Sequence, residues 1–190
     1  FRKNECDSIL AVGGGSAMDV ARCIKLYATM PLGCDYINQK IEPNNIPFFA
    51  IPTTAGTGSE ATRFAVIYYN GLKQSIADYS CIPQVVLFDP LVLETLPDYQ
   101  RKVTMLDAFC HAVESFWSVN STDESKAYSK DSIRQILNNM DSYLKNEYDG
   151  NKNMLMAANI AGKAINITQT TAGHAMCYKL TSLYGIAHGH

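Results

Sequence analysis

In the first half of the chain, apolar residues come in short runs that stop at glycine or proline. Residues 8–12, Ser-Ile-Leu-Ala-Val, lie between Asp7 and Gly13-Gly14-Gly15. That pattern predicts a buried strand feeding a tight turn. Ser16 is placed to cap a helix over residues 17–27, with Met18, Ala21, Cys23 and Ile24 on its inner face. Residues 31–47 hold Pro31, Gly33, Pro43, Asn44, Asn45 and Pro47 and read as loop. Residues 48–51 predict a second buried strand, stopped by Pro52 and followed by the small-residue loop Thr53-Thr54-Ala55-Gly56-Thr57-Gly58-Ser59. Two further runs, 64–69 and 72–76, flank Asn70-Gly71, the strongest short hairpin signal. Residues 85–88 predict one more strand, ending at Asp89-Pro90.

After about residue 95 the period becomes helical. Residues 98–118, 123–147, 151–171 and 174–184 read as helices. The change of texture falls at 93–97. The predicted architecture is therefore an α/β part, residues 1–95, followed by an all-α part, residues 96–190. No internal repeat or low-complexity segment interrupts it.

Composition narrows the function classes. The chain has 190 residues, 47% hydrophobic and 18% charged, with a formal net charge of −2. A core can be buried, and disorder is excluded. The balance also argues against nucleic acid as a partner, which calls for a basic patch. Every apolar run falls short of the roughly 18 residues a membrane helix needs. Six cysteines, Cys6, Cys23, Cys34, Cys81, Cys110 and Cys177, form no C-x-x-C pair. They predict reduced, mostly buried thiols in a cytoplasmic protein. The chain starts at Phe1 and stops at His190, directly after a His-Gly-His cluster, and reads as an internal piece of a longer protein.

Two loops and one constellation carry chemistry. Gly13-Gly14-Gly15-Ser16 sits between a strand and a helix, where backbone N–H groups and the helix dipole suit a pyrophosphate. It is not a G-x-G-x-x-G fingerprint, and a plain tight turn is the competing reading. The Thr-rich loop 53–59 also follows a strand, at the sheet end where open α/β folds bind ligands; a flexible small-residue loop is its competitor. Asp107 and His111 stand at i and i+4 on one helical face. His174 and His188 follow. One carboxylate and three imidazoles suit Fe²⁺ or Zn²⁺. Spacing alone leaves open a surface pair or a satisfied core histidine.

Five segments in register go further: AVGGGSAMDVAR (11–22), IPTTAGTGSEAT (51–62), IPQVVLFDPLVLETLP (82–97), LDAFCHAVES (106–115) and AGHAMCYKLTSLYGIAHGH (172–190). With them the chain resembles the iron-containing (group III) alcohol dehydrogenases, a branch of the dehydroquinate synthase-like fold. The resemblance implies a Rossmann-like nucleotide-binding domain, a helical metal-binding domain and an active site between them. It implies metal ligation by Asp107, His111, His174 and His188, by Fe²⁺ with Zn²⁺ as the alternative. It implies NAD or NADP contacts from Gly14, Gly15, Ser16, Ala17, Met18, Asp19, Thr53, Thr54, Thr57, Val66 and Lys73. The substrate it implies is a small alcohol or aldehyde, and family members often assemble into dimers or larger oligomers.

The sequence departs from that pattern at two places. Arg22 stands where a lysine is usual. Tyr178 stands where many members carry a histidine that relays a proton, which leaves Tyr178 or His190 to take that role. Family members are longer at both ends, so both predicted domains lack a portion here. Three other readings remain: a reductase of phosphonate-bearing aldehydes, with Arg63 and Tyr178-Lys179 as its signal; a dehydroquinate synthase-like lyase, for which Arg63, Lys73 and Lys179 are the basic candidates; and a truncated module without activity.

Overall fold

The computed structural model describes residues 1–33, 36, 38, 40–69 and 72–190, without the side chains of residues 68, 69, 72 and 73. The chain begins with a β-α-β unit. Strand β1 (Ile9–Gly13) leads through the glycine turn into helix α1 (Gly15–Tyr27), and β2 (Phe48–Pro52) returns parallel to β1, with Ile9 beside Phe48 and Gly13 beside Pro52. Strand β5 (Val85–Val86) adds to the other edge of β2, giving the order β1-β2-β5. Parallel neighbours need a crossover, and α1 supplies it.

Helix α1 covers one face of this sheet. Ile9, Ala11, Phe48 and Ala50 face it and form a core with Met18 and Ala21. On the opposite face Leu10 and Val12 are more than half exposed. The strands expected to be buried on both faces are therefore half-buried. Their unbroken apolar runs could not show that, because the second face has no covering element among the described residues. The run at 85–88 also yields only a two-residue strand, ended as the chain turns into the Pro90–Leu93 3₁₀ turn, where Asp89 caps the Leu91 N–H at 3.0 Å.

Helix α1 departs from its expected face and cap. It begins at Gly15, after Gly14 as N-cap, so Ser16 lies inside the helix. The buried stripe is Met18, Ala21, Arg22, Lys25 and Leu26, at helical spacing. Ile24 is 41% exposed instead. Two cations replace it on the inner stripe because each finds oxygen partners. Arg22, fully buried, donates to Ser59 Oγ and to the backbone carbonyls of Ser59, Thr62, Phe64 and Cys81. Lys25 Nζ donates to the Ile46 carbonyl at 2.7 Å and to Asn44. A buried charge persists only when paired and hydrogen-bonded.

Arg22 thereby pins the base of an antiparallel hairpin, β3 (Phe64–Tyr69) and β4 (Leu72–Ala77), with Phe64 opposite Ala77 and Tyr69 opposite Leu72. The hairpin matches the expectation; its turn, Asn70-Gly71, lies outside the described residues. The cysteines do not match. Cys81 is buried, Cys23 and Cys177 are half-buried, and Cys6 and Cys110 are exposed; Cys34 lies outside the described residues. No disulfide joins any of the five described cysteines.

The second half is helical: α2 (Asp98–Trp117), α3 (Asp123–Leu144), α4 (Tyr148–Thr168) and α5 (Ala172–Tyr184). A capping box between Thr122 and Ser125 starts α3. Ala108, Ile136, Tyr143, Met154, Leu155, Ala157 and Ala158 form the helical core, joined by Ala55 and Leu93 from the preceding segments. Buried Arg101 ties α2 to the α3–α4 turn through Tyr143 O (3.0 Å), Asn151 Oδ1 (2.6 Å) and Asn146 Oδ1 (2.7 Å). No described helix is long and apolar enough to cross a membrane.

The Thr-rich loop after β2 seats on α4. Gly58, in a left-handed conformation (φ +54°), lies backbone to backbone with Gly162, and a Cβ on either would strike the other's main chain. Beside this contact buried Glu60 accepts from Asn159 Nδ2 at 3.0 Å. Burial pushes the Glu60 carboxyl upward, against the smaller pull of Asn159, Arg22 and Lys163.

Two outcomes follow from this seam. Gly162→Ala forces backbone against backbone and lowers stability by roughly 1–3 kcal/mol, read as a lower urea midpoint. Glu60, with its folded pKa raised, binds its proton more tightly folded than unfolded, so its contribution to stability is lost as pH rises through that pKa. Glu60→Gln therefore gains stability over the parent at about pH 8 relative to about pH 5; an equal difference at both pH values in urea melts refutes it.

Candidate metal and nucleotide site

The seam leaves a cleft of about 880 Å³ between the α/β elements and the helices. One wall is the start of α1 with Thr57, Ser59, Val66 and Ser75; the other is α2, the end of α4, α5 and the segment after it. Each half of the chain contributes what it is built to offer.

On α2, Asp107, His111 and Glu114 fall at i, i+4 and i+7 and are all buried, at 5%, 6% and 3% exposure. His174 is the third residue of α5. The helix ends at Gly185, whose left-handed φ of +66° accommodates the C-cap. The chain then turns back to deliver His188 to the same place. Gly189 allows that approach, because a Cβ there would collide with the Val103 carbonyl.

These residues meet at one oxygen. Asp107 Oδ1 lies 3.4 Å from His174 Nε2 and 3.9 Å from the Nε2 atoms of His111 and His188. Ligand atoms of Asp107, His174 and His188 all lie within 4.8 Å of one another. The rings of His111 and His174 stack at 4.3 Å, with 16° between their planes. A tetrahedral divalent ion with ligands at roughly 2.1 Å separates them by about 3.4 Å, close to the observed spacing. Asp107, His174 and His188 therefore fit a divalent metal as one carboxylate oxygen and two imidazole nitrogens, while His111 Nε2 lies 3.9 Å from the same carboxylate oxygen but outside that mutually close group.

The electrostatics fit as well. Burial alone would push the Asp107 carboxyl up, but the three imidazoles outweigh it and hold the group below the usual carboxylate range. Burial drives His111 down to about 4, so its ring stays neutral, the form a metal requires. Its Nδ1 is buried without a hydrogen-bond partner. His174 moves the other way: burial lowers it, and hydrogen bonds to Asp107 and Glu114 more than compensate.

Glu114 is the residue the sequence reading missed. Its signal was present, since it continues the Asp107–His111 stripe by one turn. His174 Nδ1 donates to Glu114 Oε1 at 2.9 Å, which leaves Nε2 for the shared centre.

At the other wall, α1 points its first turn into the cleft, and Gly15, Ser16, Asp19 and Val20 line it. The glycine turn packs on the Thr loop: a Cβ at Gly14 would lie 3.2 Å from Thr54, and one at Gly15 would lie 3.0 Å from Thr57. Thr53 donates its N–H to the Gly13 carbonyl at 3.1 Å. Glycine here lets two loops share one sheet end and leaves the helix N-terminus open. That cradle fits a phosphate-bearing cofactor. Burial raises the Asp19 carboxyl to about 6, against the opposing pull of Arg22 at 3.2 Å.

Among the predicted cofactor contacts, Gly15, Ser16, Asp19, Thr57 and Val66 line the cleft. Gly14, Ala17, Thr53 and Thr54 do not line it, and the last two support the glycine turn instead. Met18 is 1% exposed and belongs to the sheet core, so its side chain does not reach the cleft. The Lys73 side chain lies outside the described residues. Of the two relay candidates, Tyr178 lines the cleft and stacks on His188, with ring centroids 5.5 Å apart. His190 is not among the lining residues; its Nδ1 lies 3.1 Å from the Tyr99 hydroxyl. The lining also includes Thr62, Phe64, Ser75, Gln169, Thr170 and Thr181, none of them a predicted site residue.

A parallel sheet with a helix-terminus cradle thus faces a buried carboxylate–imidazole cluster across one cleft. Comparison with known proteins gives the family. Residues 1–90 match the model for iron-containing alcohol dehydrogenase, and residues 102–190 match the model for the C-terminal part of the Fe-containing alcohol dehydrogenase family. The chain belongs to the iron-containing alcohol dehydrogenase family. It is 33% identical over 196 residues to the probable alcohol dehydrogenase EutG of Salmonella typhimurium, covering 100% of this chain and 49% of that protein. It is 31% identical over 203 residues to the phosphonoacetaldehyde reductase of Streptomyces viridochromogenes, covering 100% of this chain and 51% of that protein. The fold superposes with a TM-score of 0.93 on sulfoacetaldehyde reductase from Bifidobacterium kashiwanohense in complex with NAD+, at 31% identity, over 99% of this chain and 52% of that one. The chain thus spans about half the length of these relatives.

Proposed function

We propose that the protein containing this chain is a metal-dependent oxidoreductase that moves hydride between a nicotinamide cofactor and a small alcohol or aldehyde. The observation that carries this reading is the convergence of three Nε2 atoms on Asp107 Oδ1 within 3.9 Å, across the cleft from the α1 N-terminus. We take residues 1–95 as the nucleotide-binding domain and 96–190 as the metal-binding domain. The absence of a disulfide among the five described cysteines supports a reducing, cytoplasmic setting.

Asp107, His111, His174 and His188 would hold the metal, which the family makes iron. When bound, the metal supplies Lewis acidity toward the substrate oxygen, and the nicotinamide supplies the hydride acceptor. The protein does the rest. Asp107 brings negative charge into a buried pocket, and Glu114 fixes His174 so that Nε2 faces the centre. The free N–H groups at the start of α1 bind the pyrophosphate, with Thr57 beside them. The sulfoacetaldehyde reductase structure is in complex with NAD+, and NAD is the reading adopted here. Tyr178 lies against His188 at the cleft wall, and burial raises its pKa. It stays protonated near neutral pH and can donate a hydrogen bond to the substrate oxygen.

Two measurements test this. His188→Ala removes one metal donor that is only partly buried. Bound iron falls, and turnover of NADH with a small aldehyde drops by about two orders of magnitude or more, since a Lewis-acid contact contributes several kcal/mol. Unchanged metal content and rate would sink the ligand assignment. Ser16→Asp places a carboxylate at the helix N-terminus, stabilising the fold by about 0.3–1 kcal/mol while repelling pyrophosphate. NADH affinity falls by about tenfold or more, a loss of 1.4 kcal/mol per factor of ten; unaltered affinity in a fluorescence titration rejects the cradle.

A further inference from the structure

We infer that Glu114 is the positioning residue of the metal centre and that Gly173 exists to let it approach. This rests on the metal reading above. The Glu114 carboxylate is 3% exposed and takes four hydrogen bonds from one short segment. Its Oε2 accepts from the Thr171 N–H and from Thr171 Oγ1 at 2.9 Å. Its Oε1 accepts from the His174 N–H at 3.1 Å and from His174 Nδ1 at 2.9 Å.

Two functions are joined in this one group. Helix α5 has no side-chain cap of its own at Thr171, and its first N–H groups need acceptors. Glu114, from α2, supplies them, with its negative charge at the positive end of the helix dipole. The same carboxylate accepts the proton on His174 Nδ1, which leaves Nε2, 3.4 Å from Asp107 Oδ1, as the nitrogen that would offer its lone pair to the metal. Such a carboxylate behind a ligating imidazole sets tautomer, ring orientation and basicity. Helix start and ligand orientation are thus set by a single contact.

Gly173 is the second observation. A Cβ there would collide with Glu114 Oε1. No other contact lies within 4 Å of that position except the Glu114 carboxyl carbon, at 3.4 Å. Glycine is a poor helix residue, costing roughly 1 kcal/mol against alanine. Its place in the first turn of α5 is explained by the space the carboxylate occupies. The approach to this turn is itself constrained. Gln169, at the end of α4, has φ +63° and ψ 176°, a conformation that nearly all non-glycine residues avoid. Thr168 Oγ1 bonds Ser115 Oγ at 2.9 Å, and Trp117 Nε1 donates to Thr171 Oγ1 at 3.1 Å. The end of α2 grips the α4–α5 turn on three sides.

The test uses Co²⁺ as the probe, in the full-length protein, with affinity measured against a competing chelator and the visible absorption band recorded. Glu114→Ala and Gly173→Ala each weaken Co²⁺ binding by about ten- to a hundredfold and shift the band. Glu114→Gln keeps the volume but turns an amide toward donors, and loses affinity in the same direction. Thr171→Ala, which removes the hydroxyl contacts to Glu114 and Trp117 and leaves His174 held, binds Co²⁺ within about threefold of the parent. Gly173→Ala separates positioning from folding, because helix propensity alone would make it more stable. If both Gly173→Ala and Glu114→Ala keep the parent's affinity and spectrum while His188→Ala loses metal, Glu114 does not position the centre and the metal reading stands. If the parent itself binds no Co²⁺, the metal reading fails. The tautomer then decides: imidazole ¹⁵N shifts report His174 protonated on Nδ1 in the parent and redistributed in Glu114→Ala, and identical shifts in the two overturn the inference.

Discussion

The contact between Gly58 and Gly162 sets the geometry on which the site depends. Two main chains touch where any side chain would hold them apart, and that brings the Thr-rich loop onto α4. Ala55 enters the helical core from the same loop, and Glu60 crosses to Asn159 beside it. The glycine turn rests on this loop through Thr54 and Thr57. The α1 N-terminus is therefore held at a fixed position against helices that carry the imidazoles. A cleft between two differently built halves needs such a rigid seam, because catalytic groups must keep their separation within a fraction of an ångström.

Across the cleft the balance of charge is settled locally. Asp107 is buried deeply enough that burial alone would neutralise it, yet three imidazoles at 3.4–3.9 Å keep it ionised. His111 is held neutral by burial, and His174 is held by two carboxylates. The arrangement gathers lone pairs around a point while supplying one negative charge, which suits a divalent cation better than a proton. Arg22 performs a comparable service in the other half. Its guanidinium gathers carbonyls from the loop and the hairpin, and Arg101 does the same where α2 meets the α3–α4 turn. Buried cations here organise backbone that forms no regular ladder.

Much of this was legible in the chain. The strand–glycine–helix unit, the hairpin around Asn70-Gly71 and the four helices follow from period and punctuation, and each lies within a few residues of its expected place. Asp107 and His111 could be paired by spacing alone. Glu114 was equally readable one turn on, but a glutamate on a helix usually faces water, and nothing local marks this one as buried. Ile24 shows the opposite error. Ile24 fits an apolar stripe yet is displaced by Arg22 and Lys25, whose partners come from residues 44–46 and 59–81. Met18 sits inside a cofactor motif yet belongs to the sheet core.

What the sequence by itself determined is local: where strands and helices begin and end, which faces are apolar, and which residue types can bind a metal or a phosphate. Those properties depend on neighbours within a few residues. Only the tertiary structure decided that His188, fourteen residues beyond His174, returns to the same carboxylate while His190 turns toward Tyr99. It decided that Tyr178 faces the cleft, that Gly173 and Gly189 mark close approaches to α2, and that His111, His174 and His188 gather around the Asp107 carboxylate. Those outcomes depend on how α2, α4 and α5 pack, and packing is fixed by contacts between residues far apart in the chain.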